Sequence, residues 1–166
     1  MMGARSTVPP MATAHLIHGF LGAGKTTLAK RLESALPAIR FTHDEWMSGL
    51  YGDDPPLELF STYYQRVLDR IDLVWPRCLE LGVDVVLDLN LWTRAHRDRT
   101  RSRAAAAGAE IKLYEIACSD EDAWARIEQR NRHLEGNLFI SRATFDLLKT
   151  RFEPIEPDEE VWARQA

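Results

Sequence analysis

Nine consecutive residues, Gly19-Phe20-Leu21-Gly22-Ala23-Gly24-Lys25-Thr26-Thr27, carry the plainest chemistry in this chain. Their spacing fits G-x-x-x-x-G-K-[ST], the phosphate-binding P-loop pattern. Glycines let the backbone turn so that successive N–H groups face phosphate oxygens. Gly19, Leu21, Gly22, Ala23, Gly24, Lys25, Thr26 and Thr27 are therefore the expected nucleotide contacts, with ATP as the ligand. A helix starting near Lys25 would aim its positive end at the same anion. Lys25 would reach the outer phosphates, and the Thr26 hydroxyl would ligate Mg²⁺.

Phosphoryl transfer from such a site also needs a carboxylate to orient a hydroxyl and take its proton. Asp44 follows a short apolar piece and is the candidate base, its alternative role being a cap or turn. Asp88, in Asp88-Leu89-Asn90, is the candidate support for Mg²⁺ or for the acceptor, its alternative being a cap on the next helix. Asn90 and Arg94 join Asp44 and Asp88 as expected acceptor contacts. Glu45 is ambiguous. The arginines around residues 126–132 lie where a helix runs into a loop, and an arginine from such a lid would meet the charge on the transferring group. Arg130 and Arg132 are the lid candidates, with Arg142 weaker and a surface role open for each. Arg94, Arg97, Arg99, Arg101 and Arg103 read mainly as a solvated helix face.

These residues must be positioned by alternating strands and helices. Residues 14–18 read as a strand entering the P-loop, and a helix leaves it to about Leu36, before Pro37. Residues 38–42 form a second strand. Residues 49–56, with two glycines and two prolines, read as loop. Phe60, Tyr63, Tyr64, Val67, Leu68, Ile71, Val74 and Cys78 follow at helical spacing, and Pro76 predicts a kink or break near residues 72–75. Gly82 would end that helix. The apolar run 83–90 fits a central parallel strand. Thr93 would cap a helix ending at Gly108. Residues 111–117 form a fourth strand, and Ser119 with Asp122 opens a helix through Arg130. A last helix spans 141–152, and an acidic tail, 154–160, crosses the surface. Parallel α/β sheets gather ligands at strand carboxyl ends, which brings the P-loop, Asp44 and Asp88 together.

The chain has 166 residues, suited to one domain, expected over 13–166 behind a flexible lead at 1–12. No long uncharged apolar run predicts a membrane span. Cys78 and Cys118 sit in apolar segments without metal spacing, which fits reduced thiols and a cytoplasmic location. His18, His43, His96 and His133 are scattered and suggest no metal site. The net charge of −4 gives no general attraction for nucleic acid.

Together these features resemble the small P-loop kinases related to polynucleotide kinase, zeta-type toxins and chloramphenicol phosphotransferase, an AAA_33-type group of ATP-binding proteins. The resemblance spans residues 14–154: the P-loop, Asp44 after strand two, the Asp88-Leu89-Asn90 strand end with its arginine-rich helix, the Arg130-Asn131 turn, and Arg151-Phe152-Glu153-Pro154. It implies a P-loop NTPase three-layer α/β sandwich with a parallel sheet. It also implies Asp44 as general base and transfer of the ATP γ-phosphate to a hydroxyl. A small-molecule acceptor is the leading expectation, drawing on an acidic pocket of Asp44 and Asp88, with Glu45 left open as a third member. A 5′-hydroxyl nucleic-acid acceptor and a hydrolytic or non-catalytic ATP switch are the alternatives. The P-loop segment alone also looks like that of CobW-type metallochaperone GTPases, but this chain lacks Cys-x-Cys-Cys and Asn-Lys-x-Asp, so that reading is set aside.

Overall fold

A computed structural model describes residues 11–166. The lead-in expected at 1–12 therefore lies, for residues 1–10, outside the described residues. Five parallel strands make one sheet in the order β2-β3-β1-β4-β5. They are β1 (Thr13–His18), β2 (Ala38–Thr42), β3 (Asp84–Asp88), β4 (Glu110–Ile116) and β5 (Ala163–Gln165). Six helices connect them: α1 (Lys25–Ala35), α2 (His43–Tyr51), α3 (Leu57–Glu80), α4 (Arg94–Ala106), α5 (Asp120–Asn131) and α6 (Arg142–Lys149).

The side-chain period of two divides the core into layers. Ala14, Leu16, Val85 and Leu87 face Val67, Ile71, Trp75 and Ala104 of α3 and α4. Ile17 and Val86, one residue out of phase, face Leu28 and Ala29 of α1. A third cluster joins Phe20 and Leu21 of the P-loop to Ala123, Ile127 and Phe145 of α5 and α6. The P-loop is thus held from β1, α1 and α5 at once. The three-layer parallel arrangement agrees with the sequence-based expectation.

Three details differ from that expectation. The segment expected as loop from Gly49 is helical to Tyr51, so α2 takes up Gly49 and the irregular stretch starts at Gly52. The break expected before Pro76 does not occur, and α3 runs through it for 24 residues. Proline at 76 frees the Asp72 carbonyl, and the Arg103 guanidinium donates to that oxygen while pairing with the Asp72 carboxylate at 2.8 Å. The unsatisfied acceptor that normally makes proline a breaker is therefore removed. Lastly, the tail adds β5 to the sheet edge, pairing with Tyr114–Ile116.

The tail is also strapped to α4. Arg97, fully buried, pairs with the equally buried Glu159 carboxylate at 2.6 Å and donates to the Glu153 and Pro154 carbonyls. Arg101 reaches Glu159 at 2.5 Å. The expected solvated face is thus an anchor, with Arg97 at its centre. Burial alone would raise the Glu159 carboxyl, but hydrogen bonds from Arg97 and Arg101 hold it far below the ordinary carboxylate range. Glu159→Gln keeps the volume and strands a buried guanidinium, which should lower stability in urea by about 3–5 kcal/mol. Because the folded carboxyl is depressed, its contribution is complete above the unfolded value near about 4.3 and is lost as the pH falls below it. Wild-type stability should therefore drop more steeply below that pH than the variant's. Equal urea midpoints at neutral pH would contradict the anchor.

Candidate active site

The P-loop geometry follows from its glycines. Gly24 caps α1 with φ 104°, and Gly22 has φ 73°, both left-handed. A Cβ on Gly22 would also overlap the Ala123 carbonyl of α5, so the loop and α5 touch backbone to backbone. Arg126 donates to the Gly22 and Ala23 carbonyls at 3.3 and 3.4 Å, and Trp92 Nε1 donates to the Gly19 carbonyl at 3.2 Å. These braces tie the loop to α5 and to the segment after β3. The role of Trp92 is invisible in sequence, because nothing local links it to a loop 73 positions away.

Lys25 is buried at 7% exposure, and its ammonium donates to the Phe20 carbonyl at 3.0 Å. Burial lowers its pKa, Asp88 and Asp44 oppose the shift, and Arg130 adds to it. Thr26 Oγ1 donates to Asp88 Oδ2 at 2.6 Å. Asp88 closes β3 and is 4% exposed. Burial pushes its carboxyl up, only partly offset by Lys25 and Thr26. Two adjacent hard oxygen donors, one on a buried carboxylate, fit a Mg²⁺ ion that keeps most of its waters and its bonds to phosphate.

Asp44 lies in the first turn of α2 rather than on the end of β2, where the helix N-terminus favours its charge. Its side chain is 32% exposed. Burial raises its pKa, but His43 when its ring is charged, together with Lys25 and Arg130, outweighs burial and holds it below the ordinary range. Asn90 Nδ2 donates to Asp44 Oδ1 at 3.4 Å. Asn90 has φ 53°, a left-handed conformation uncommon outside glycine, kept where its amide meets Asp44. Tyr64 lines the same place. Burial lifts its hydroxyl to about 12, with the Asp44 charge adding.

The two lid candidates separate. Arg130 is half-buried, its Nε has no hydrogen-bond partner, and its charge is felt at both Asp44 and Lys25. Burial lowers its pKa against the pull of Asp44, but a guanidinium stays charged. Arg132 is exposed beyond the end of α5. Arg142 pairs with Asp146 at 3.0 Å.

Two side chains are engaged away from the P-loop: the Arg94 guanidinium, expected on the acceptor, is bound to Asp98, Glu156 and Asp158 at 2.8 to 3.0 Å, with its backbone N–H on Glu153. The acid-rich tail is simply nearer than the cleft. Glu45 turns away as well, pairing with Arg40 at 2.8 Å and Lys30 at 3.3 Å. The acidic pocket reduces to Asp44 and Asp88, each opposed by Lys25. Among the described residues no cluster of three histidine, cysteine or acidic side chains is placed to hold a metal, and no helix is long and apolar enough to cross a membrane.

A parallel sheet whose first strand runs through a P-loop into a helix, with the other strand ends facing that loop, defines a P-loop NTPase fold of the kinase-like kind. Within it, the chain belongs to the AAA domain family AAA_33, whose model matches residues 15–155. No curated protein matches the chain significantly. Among solved structures, Kti12 of Chaetomium thermophilum in complex with ADP-AlF3 has a TM-score of 0.69 at 17% identity, over 92% of this chain and 88% of that one. A gluconokinase from Sinorhizobium meliloti 1021 has a TM-score of 0.59 at 17% identity, over 94% and 81%. The Mycobacterium tuberculosis APS kinase CysC, in complex with AMPPNP and APS, has a TM-score of 0.56 at 18% identity, over 94% and 88%. At these identities the likeness speaks of the fold.

Proposed function

We propose that this protein transfers the γ-phosphate of ATP to a hydroxyl of a small-molecule acceptor. The observation that carries the reading is the convergence of Lys25, Thr26–Asp88, Asp44 and Arg130 at one end of the sheet. The fold neighbours add support, since three carry kinase or nucleotide-bound descriptions that include ADP-AlF3 and AMPPNP.

In this mechanism the P-loop amides and Lys25 hold the outer phosphates, with the Lys25 ammonium exchanging the Phe20 carbonyl for a phosphate oxygen. Thr26 and Asp88 would hold Mg²⁺, which supplies charge neutralisation on the phosphates when bound. Asp44, kept ionised by its neighbours, takes the proton of the acceptor hydroxyl, and Asn90 fixes the carboxylate's direction. Arg130 meets the negative charge spread over the transferring group. Arg130→Gln should therefore lower kcat by about 10²–10³-fold, the scale for losing one such group, while Arg132→Gln should leave it nearly unchanged. Steady-state kinetics on both variants distinguish them, and a larger loss in Arg132→Gln would reverse the assignment.

A small acceptor is preferred over a nucleic-acid end because the helix richest in arginine spends Arg94, Arg97 and Arg101 on the tail. The test is phosphorylation of a 5′-hydroxyl oligonucleotide against a panel of nucleosides, sugars and aminoglycosides. Oligonucleotide labelling that falls by about 0.7 log units per log unit of salt for each phosphate contact would favour the nucleic-acid acceptor instead.

A further inference from the structure

His43 opens α2 beside Asp44, and its side chain is fully buried. Its ring lies 3.9 Å from the Tyr64 ring, centroid to centroid, and Nε2 is 3.0 Å from the Tyr64 carbonyl oxygen. A carbonyl only accepts, so Nε2 must carry the proton, and the neutral ring keeps its lone pair at Nδ1. Nδ1 is buried with no hydrogen-bond partner and lies 3.6 Å from Asp44 Oδ1. A lone pair facing a carboxylate oxygen holds nothing until a proton arrives. Leaving such a buried acceptor unmatched is costly, and of the buried ring nitrogens without a partner this one faces the candidate base.

We propose that His43 is the proton store behind Asp44, receiving at Nδ1 the proton that Asp44 takes from the acceptor hydroxyl. The proposal rests on the phosphotransferase reading above. The acceptor O–H bond breaks as its oxygen forms the bond to the γ-phosphorus. The bond from that phosphorus to the bridging oxygen breaks, and its electron pair leaves with ADP. The proton passes to Asp44 and on to Nδ1. The resulting imidazolium donates from Nε2 to the Tyr64 carbonyl and from Nδ1 to Asp44, so both ring nitrogens are matched and the carboxylate is restored. When the phosphorylated acceptor leaves, the proton returns to solvent through Asp44, which opens to the cleft. The charged and titratable groups around the Asp44–His43 pair are Asp88 on β3, Lys25 on α1, Arg130 on α5 and His96 on α4. Tyr64 on α3 stays neutral at working pH. His43 thus acts through Asp44, as a positioning residue that also holds the proton.

Two measurements test this. Nitrogen NMR of the ¹⁵N-histidine-labelled protein should show His43 as the Nε2–H tautomer, with an Nδ1 signal that moves in Asp44→Asn. An Nδ1–H tautomer, or no response to Asp44→Asn, overturns the proposal even in an active enzyme, and needs no His43 variant to fold. His43→Gln can still donate to the Tyr64 carbonyl but cannot take a proton. With MgATP and the best acceptor of the panel, and with water as acceptor, its kcat should fall by about 10²-fold at neutral pH. The KM for ATP should stay unchanged, and the pH profile of kcat should lose the limb set by the pair. Wild-type kcat across the pH range in that variant overturns the proposal. No ADP from the wild-type protein with any acceptor or water overturns the phosphotransferase reading and the proposal with it.

Discussion

Lys25→Met is expected to lose phosphotransfer while the protein stays folded. The ammonium lies at 7% exposure on the Phe20 carbonyl, inside the loop that must wrap the phosphates. Among the described residues no other lysine donates to a carbonyl of that loop, where the remaining side-chain donors are Arg126 and Trp92. Methionine matches its length and lacks its charge. The fold should survive, because burial already works against the ammonium and one carbonyl hydrogen bond nets only about 1 kcal/mol. Transfer should fall by at least about 10²–10³-fold, the scale for removing one preorganised donor to developing charge. Coupled ADP release and a thermal melt on the same preparation check both halves. Full activity in Lys25→Met would end the kinase reading.

Asp44→Asn should reduce turnover of bound substrate by about 10²-fold or more while ATP affinity changes little. Asparagine keeps the shape and can still receive the Asn90 amide through its oxygen, but it has no useful proton affinity. The surroundings make this a clean test. Asp44 is held ionised against its own burial by Lys25 and Arg130, and by His43 whenever its ring is charged, so the wild-type base is ready at neutral pH. Binding titrations with ATP and single-turnover kinetics separate the two effects. Collapse of ATP binding with normal turnover of what binds would assign Asp44 to Mg²⁺ or to structure instead.

The P-loop, the strand end at Asp88 and the parallel layers were legible because their signals are local. Gly22 and Gly24 announce a backbone conformation, and Val85, Val86 and Leu87 announce a strand covered on both faces. What the sequence hid depends on partners distant in the chain. Pro76 reads as a breaker until Arg103, 27 positions later by residue number, is seen to take the carbonyl it frees. Arg94 reads as a site residue and Arg97 as a surface one until Glu156, Asp158 and Glu159 return to meet them. The strand that brings the tail home, Ala163–Gln165, is too short to carry a period-two pattern. His43 could not be told from an idle histidine, because only its burial and its two ring contacts reveal which nitrogen is free. The choice between Arg130 and Arg132 likewise rests on which side of the end of α5 faces the cleft.

Phosphotransfer by this protein is best tested by ADP formation from MgATP over a panel of nucleosides, sugars, aminoglycosides, other antibiotics and 5′-hydroxyl oligonucleotides. The assay should be run with wild type and Lys25→Met side by side, with the phosphorylated product quantified. A small hydroxyl compound should raise ADP release in the wild type, in one-to-one yield with its phosphorylated form, and Lys25→Met should show neither. ADP release that no acceptor increases, or that appears only as inorganic phosphate, would contradict phosphotransfer and leave a hydrolytic nucleotide switch in its place.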